Sequence, residues 1–147
     1  MLDHEYFMRK ALEEAKKALE AGEVPVGAVV VAQGRIIARA YNRTQALNDV
    51  TAHAEMQAIT SAAHYIGGKY LHQCTLYVTL EPCQMCAGAL FWSQISEVVY
   101  GASDQNAAIW PWGHKYIQKR RFILGFWRIN APLYLMIFLK PKGRSRD

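Results

Sequence analysis

Cysteine is scarce, three residues in a chain of 147. So small and odd a number builds no disulfide framework, which excludes the small secreted scaffolds and fits a reducing compartment. Long apolar runs are missing too. The longest, "APLYLMIFL" at 131–139, is too short to span a bilayer. The beginning, "MLDHEYFMRK", is acidic at first and has no apolar signal core. The expectation is a cytoplasmic protein with no membrane partner. There is no internal repeat, linker or low-complexity segment. With 20% charged and 52% hydrophobic residues the chain is globular, and its length suffices to bury a core.

Acidic residues are lacking in one place above all. Residues 107–147 hold 9 Lys and Arg against a single Asp, at the last position, and no Glu. Residues 1–106 hold 8 Lys and Arg against 11 Asp and Glu. The net charge of +5 is therefore an average over two regimes. The basic segment also carries 8 of the 17 aromatics, among them Trp110, Trp112 and Trp127. The division expected is a domain over 1–106 and an atypical basic, aromatic segment over 107–147.

Hydrophobic spacing organises the first part. Met8, Leu12, Ala15 and Leu19 make a helical stripe over 3–21, with Asp3 as N-cap and Gly22 as terminator. Residues 24–42 read as two strands around a tight turn at Gln33–Gly34. Gly27 inside the first strand marks a close backbone approach or a bulge. A second helix is expected from Thr51, as cap, to about Tyr65, with Ala52, Met56, Ile59 and Ala63 as its apolar stripe. "CTLYVTL", 74–80, is a β-branched and aromatic strand. Pro82 suits the first turn of a third helix, 83–95. "EVVYGAS", 97–103, is a fourth strand, parallel to the third because a helix joins them. The fold class is α/β, a three-layer α/β/α sandwich with a central mixed sheet.

The chemistry lies in "TAHAEMQAI", 51–59, and "LEPCQMCAG", 80–88. Cys83 and Cys86, three apart at the start of a helix, share one face, and the positive helix end favours thiolates. Two thiolates make a soft metal trap that zinc commonly occupies. A redox pair needs another context, and a structural zinc site needs two closing ligands more. Cys74, inside a strand, reads as an inert core residue. His53 is the natural third ligand. Residues i and i+2 of a helix point about 200° apart. His53 and Glu55 therefore serve one centre only if it lies over the helix's N-terminal end. Three protein ligands leave a fourth position for water, the catalytic pattern. Two thiolates cancel the formal charge of Zn²⁺, so a neighbouring base is useful, and Glu55 fits the role of proton shuttle.

The conjunction H-A-E, then P-C-x-x-C thirty residues later, has the form of the zinc-dependent nucleobase deaminase signature. The chain resembles the cytidine-deaminase superfamily. Within it, "GEVPVGAVVV", "IIARAYN", "DVTAHAEMQAI", "LYVTLEPCQMCAGAL" and "VVYGASD" resemble the bacterial tRNA-specific adenosine deaminases, over residues 1 to about 106. The resemblance implies a cytidine-deaminase-like fold and conversion of adenosine to inosine at the wobble position of a tRNA anticodon stem-loop. It further implies a homodimer and one Zn²⁺ per chain on His53, Cys83 and Cys86. By the same resemblance Glu55 protonates N1 of a flipped adenine and then the leaving ammonia, Asn42 hydrogen-bonds the purine, and the backbone of Ala54 faces the base. Asp104 matches a family Asp to which the sequence assigns no role.

Residues 107–147 do not match the family's ending. Two readings stand: a basic, aromatic RNA-binding extension, or an ending translated out of frame. Two rival functions also stand. One is a small-molecule deaminase of the same superfamily, acting on guanine, cytosine or cytidine, to which "ALFWSQI" gives some support. The other is a zinc-stabilised RNA-binding module without catalysis, against which Glu55 argues, since a structural site needs no poised base.

Overall fold

The computed structural model describes residues 3–102 and 121–123. The proposed division at 106 and 107, and Asp104, lie outside the described residues. In chain order come α1 (His4–Glu20), β1 (Gly27–Ala32), β2 (Arg35–Tyr41), α2 (Ala54–Ile66), β3 (Cys74–Leu80), α3 (Gln84–Ser93), β4 (Glu97–Ala102) and β5 (Arg121–Ile123). The sheet order is β2-β1-β3-β4-β5. β1 runs antiparallel to both β2 and β3, while β3, β4 and β5 are parallel, so the sheet is mixed as expected. The short β5, lying within the basic segment, was not foreseen. Among the described residues no helix is long and apolar enough to cross a membrane.

Strand alternation sorts side chains into two cores. On one face Val29, Val31, Tyr77 and Val99 meet Phe7, Met8 and Ala11 of α1. On the other, Ala28, Val30, Leu76, Val78, Val98 and Tyr100 pack with Ala54, Ala58 and Ala62 of α2 and Leu90 of α3. That is the three-layer sandwich.

Several local expectations hold. Asp3 caps α1 by accepting the Tyr6 N–H. Gln33 and Gly34 both take positive φ, 51° and 72°, the backbone of a type I′ hairpin turn. Of the two readings of Gly27, the close approach is the one found: a Cβ there would stand 2.1 Å from the Ala11 carbonyl oxygen and 2.3 Å from the Ala15 nitrogen. The irregularity of the hairpin lies elsewhere. Val30 pairs with Ala38 and Val31 with Ile36, leaving Ile37 as the extra residue.

Other expectations are corrected. The buried stripe of α1 is Phe7, Met8, Ala11, Ala15 and Ala18, while Leu19 is exposed and Leu12 only half-buried. α2 begins later than expected, with His53 rather than Thr51 as its N-cap. Thr51 is held instead by Asp49, whose Oδ1 accepts both its N–H and its hydroxyl. Pro82 precedes the cap of α3, which is Cys83, and the helix ends at Ser93.

Candidate active site and metal centre

The register brings Gly27, Tyr41, Leu80 and Ala102 to one edge of the sheet. There the N-termini of α2 and α3 converge. In open α/β sheets this carboxyl edge of the strands is where ligands bind. Both cap residues have extended backbone, and neither uses its side chain to cap its own helix. The side chains of His53 and Cys83 are thereby free to face one another.

His53 Nδ1 lies 3.6 Å from Cys83 Sγ and 3.5 Å from Cys86 Sγ. Ligand atoms of all three residues fall within 4.8 Å of one another. A tetrahedral zinc with Zn–S near 2.3 Å and Zn–N near 2.0 Å sets each N···S edge at about 3.5 Å. The residues present therefore fit the ion. They also fit its chemistry, with one imidazole and two sulfurs at helix ends. The Cys83 thiol is pulled down to about 5, first by the Cys86 thiol donating to it, then by backbone N–H groups of Cys86 and Met85 with His53 nearby, against the opposing effect of burial. The Cys86 thiol is pushed up, by that same hydrogen bond and by burial. The two directions describe one shared proton. One sulfur is a ready thiolate, and the other becomes one when a cation takes the proton's place.

Glu55, the second residue of α2, is 4% exposed. Burial pushes its carboxyl up to about 7; its own backbone N–H, His53 and Cys86 pull the other way, while Cys83 adds to the rise. A carboxyl so raised, in a cleft beside a metal-ligating trio, marks a candidate acid or base.

These groups border one cavity of about 220 Å³, lined by Val24, Val26, Asn42, Thr44, His53, Ala54, Glu55, Leu80, Glu81 and Cys83. It is smaller than the ~300–1,000 Å³ clefts that take drug-sized molecules. Asn42 is 6% exposed, and its Oδ1 has no hydrogen-bond partner among the described residues. A buried orphan acceptor is costly unless a ligand completes it. The structure thus brings together Asn42, His53, Ala54, Glu55 and Cys83 on one wall system, with Cys86 fully buried behind them. Cys74 is buried among core residues and takes no part.

Two neighbours escaped the sequence reading. Glu23 accepts the N–H groups of Gln45 and Ala46 and the Thr44 hydroxyl, fastening the loop beyond Asn42. Nothing local signals it, because its partners lie more than twenty residues away. Gln57 reaches back to the chain before α2. Its signal was its position, four residues after His53 and so on the same helix face.

A three-layer sandwich that gathers one imidazole, two thiol sulfurs and a buried carboxyl over two helix N-termini is the framework of a zinc-dependent hydrolytic deaminase. Residues 1–102 match the model of the cytidine and deoxycytidylate deaminase zinc-binding region. The chain belongs to that family. It is 54% identical over 102 residues to the tRNA-specific adenosine deaminase of Aquifex aeolicus, covering 69% of this chain and 68% of that one. A chain solved in structural studies of A-to-I editing by tRNA:A34 deaminases superposes with a TM-score of 0.70 at 50% identity, covering 72% and 78%. Guanine deaminase from Bacillus subtilis superposes with a TM-score of 0.69 at 35% identity, covering 94% and 92%.

Proposed function

We propose that this chain hydrolyses adenosine to inosine at the wobble position of a tRNA anticodon. The observation that carries the reading is the shared cavity, in which a buried carboxyl, two of the three metal-binding side chains and an orphan amide oxygen meet, with Cys86 buried directly behind them. Similarity to tRNA-specific adenosine deaminases at about half of the aligned positions supports the choice of substrate.

His53 through Nδ1, with Cys83 and Cys86 through their sulfurs, would hold one Zn²⁺. Bound there, zinc supplies a water of lowered pKa at its open fourth position. Because two thiolates offset the ion's charge, a base beside that water has work to do. Glu55 would take a proton from a water so activated and hand it to N1 of the purine, then pass that water's second proton to the amine at C6, which would leave as ammonia, so that water and adenosine give ammonia and inosine. Asn42 would supply a hydrogen bond that orients the purine, and the Ala54 backbone would border the base. The wobble base stands in a loop, so turning it out of its stack costs little. A homodimer in the cytoplasm belongs to the same reading. Trp92 and Tyr70 are exposed and would offer apolar surface to a second copy.

The test is inosine formation on an anticodon stem-loop with A at the wobble position, with guanine, cytosine and cytidine assayed in parallel. Inosine in the stem-loop alone bears the proposal out. Ammonia from a free base or nucleoside, without inosine, overturns it. Guanine is the second reading, favoured by the likeness to guanine deaminase over most of both chains, although at lower identity.

A further inference from the structure

Gln57 stands on α2 with its side chain turned back toward the start of the helix, half-buried. Its Nε2 lies 2.7 Å from the Tyr41 carbonyl oxygen, 3.0 Å from that of Ala52 and 3.4 Å from that of His53. Three carbonyls face this atom, so it is the amide nitrogen and not the oxygen that points inward. Its two hydrogens serve Tyr41 and Ala52, with His53 at the edge of reach. The Ala52 carbonyl also accepts the Arg43 N–H at 3.0 Å.

The chain positions of these partners matter. Tyr41 ends β2 and is followed by Asn42, the orphan amide of the cavity. Ala52 is followed by His53, which faces both cysteine sulfurs. One side chain therefore ties the residue before the base-facing amide to the residue before the metal-facing imidazole. Between those two points the chain runs through a loop of turns, held by Glu23 on Thr44, Gln45 and Ala46 and by the Arg43 N–H on the Ala52 carbonyl, and the Gln57 amide reaches both ends of that loop from α2.

We propose that Gln57 is a positioning residue: its amide sets the distance between His53 and Asn42, and so aligns the metal with the base in one cavity. The Asn42 half of this rests on the function proposed above; the His53 half rests only on the metal centre.

The experiment compares Gln57→Met, which keeps the length and removes the donor, with Gln57→Lys, whose ammonium can donate to three carbonyls. Zinc affinity by chelator competition, KM and kcat on the wobble-A stem-loop, and the thermal midpoint are measured on each. Groups that orient metal ligands cost about 10–100-fold in affinity or activity when removed. The Met variant is expected to bind zinc about tenfold more weakly and to show a KM raised about tenfold, with Lys restoring both to within about threefold. A purely structural tether would lower the thermal midpoint and leave zinc affinity and KM as in the parent; that result overturns the proposal. If the Met variant does not fold, the Lys variant carries the test: parental zinc affinity supports the proposal, and weakened zinc in a folded Lys variant overturns it. Failure of the parent to make inosine from the stem-loop would refute the proposed substrate, while the zinc measurements would still judge Gln57.

Discussion

Replacing Gly27 by alanine asks how tightly the first helix seats on the sheet. The added Cβ would lie 2.1 Å from the Ala11 carbonyl oxygen, 2.3 Å from the Ala15 nitrogen and 2.8 Å from the Glu14 Cβ. Ordinary contacts sit near 3.5–4.0 Å, so α1 must lift by about 1 Å or more. Two of the three atoms are backbone, and no rotamer change relieves them. Lifting the helix also loosens Phe7, Met8 and Ala11 from Val29, Val31, Tyr77 and Val99. Overpacking costs about 1–3 kcal/mol in ordinary cores, occasionally more, and this site belongs at or beyond the upper end, about 3 kcal/mol. For a domain of this size that lowers the melting midpoint by roughly 12 °C or more. Urea unfolding of Gly27→Ala against the parent measures it, with the slope m held equal between the two. A loss below about 1 kcal/mol would refute the seating of α1 on Gly27. Zinc content in the cold should stay at the parent's level, because α1 packs on the face opposite α2 and α3.

Other consequences can be checked separately. Asn42→Ala should lower kcat/KM on the stem-loop about tenfold or more, the worth of one buried hydrogen bond, with zinc content unchanged. Glu23 titrates below its ordinary value of 4.5: burial opposes this, but the N–H groups of Gln45 and Ala46, the Thr44 hydroxyl and Arg43 outweigh it. A depressed carboxyl adds stability that is present above its unfolded pKa and is lost as pH falls through the folded one. The Gln45 and Ala46 amide resonances should therefore shift in acid with a midpoint below 4.5, and a midpoint at or above 4.5 would contradict the clasp. Cys74→Ala should lower stability by about 1 kcal/mol and leave zinc binding untouched, as metal analysis would show.

Alternation made most of the sheet legible, and the spacing of His53, Glu55, Cys83 and Cys86 made the metal centre legible. The helix faces were less so, for a physical reason. Ranking by hydrophobicity selected Leu12 and Leu19 for the core of α1. The close approach to Gly27 requires small residues on that face, so Ala11, Ala15 and Ala18 turn inward and Leu19 outward. α2 behaves alike, burying Ala54, Ala58 and Ala62 rather than the expected Met56. Thr51 was the better cap by propensity, but Asp49 captures its hydroxyl, and the cap falls to His53. That shift frees an imidazole that a helical interior position would have turned aside. The bonds of Glu23 to the loop beyond Asn42, and that of Gln57 to Tyr41, follow from tertiary closure, which no local pattern encodes; helix spacing signals only that Gln57 faces back toward His53.

In the proposed reaction Glu55 moves protons beside a zinc held by His53, Cys83 and Cys86. Glu55→Gln tests it most directly, with zinc content and inosine formation measured on the same preparation. One zinc per chain is expected, as in the parent, with turnover on the wobble-A stem-loop reduced by about 10²–10⁴-fold, the contribution of a positioned acid–base group. Parental turnover with zinc still bound would contradict it.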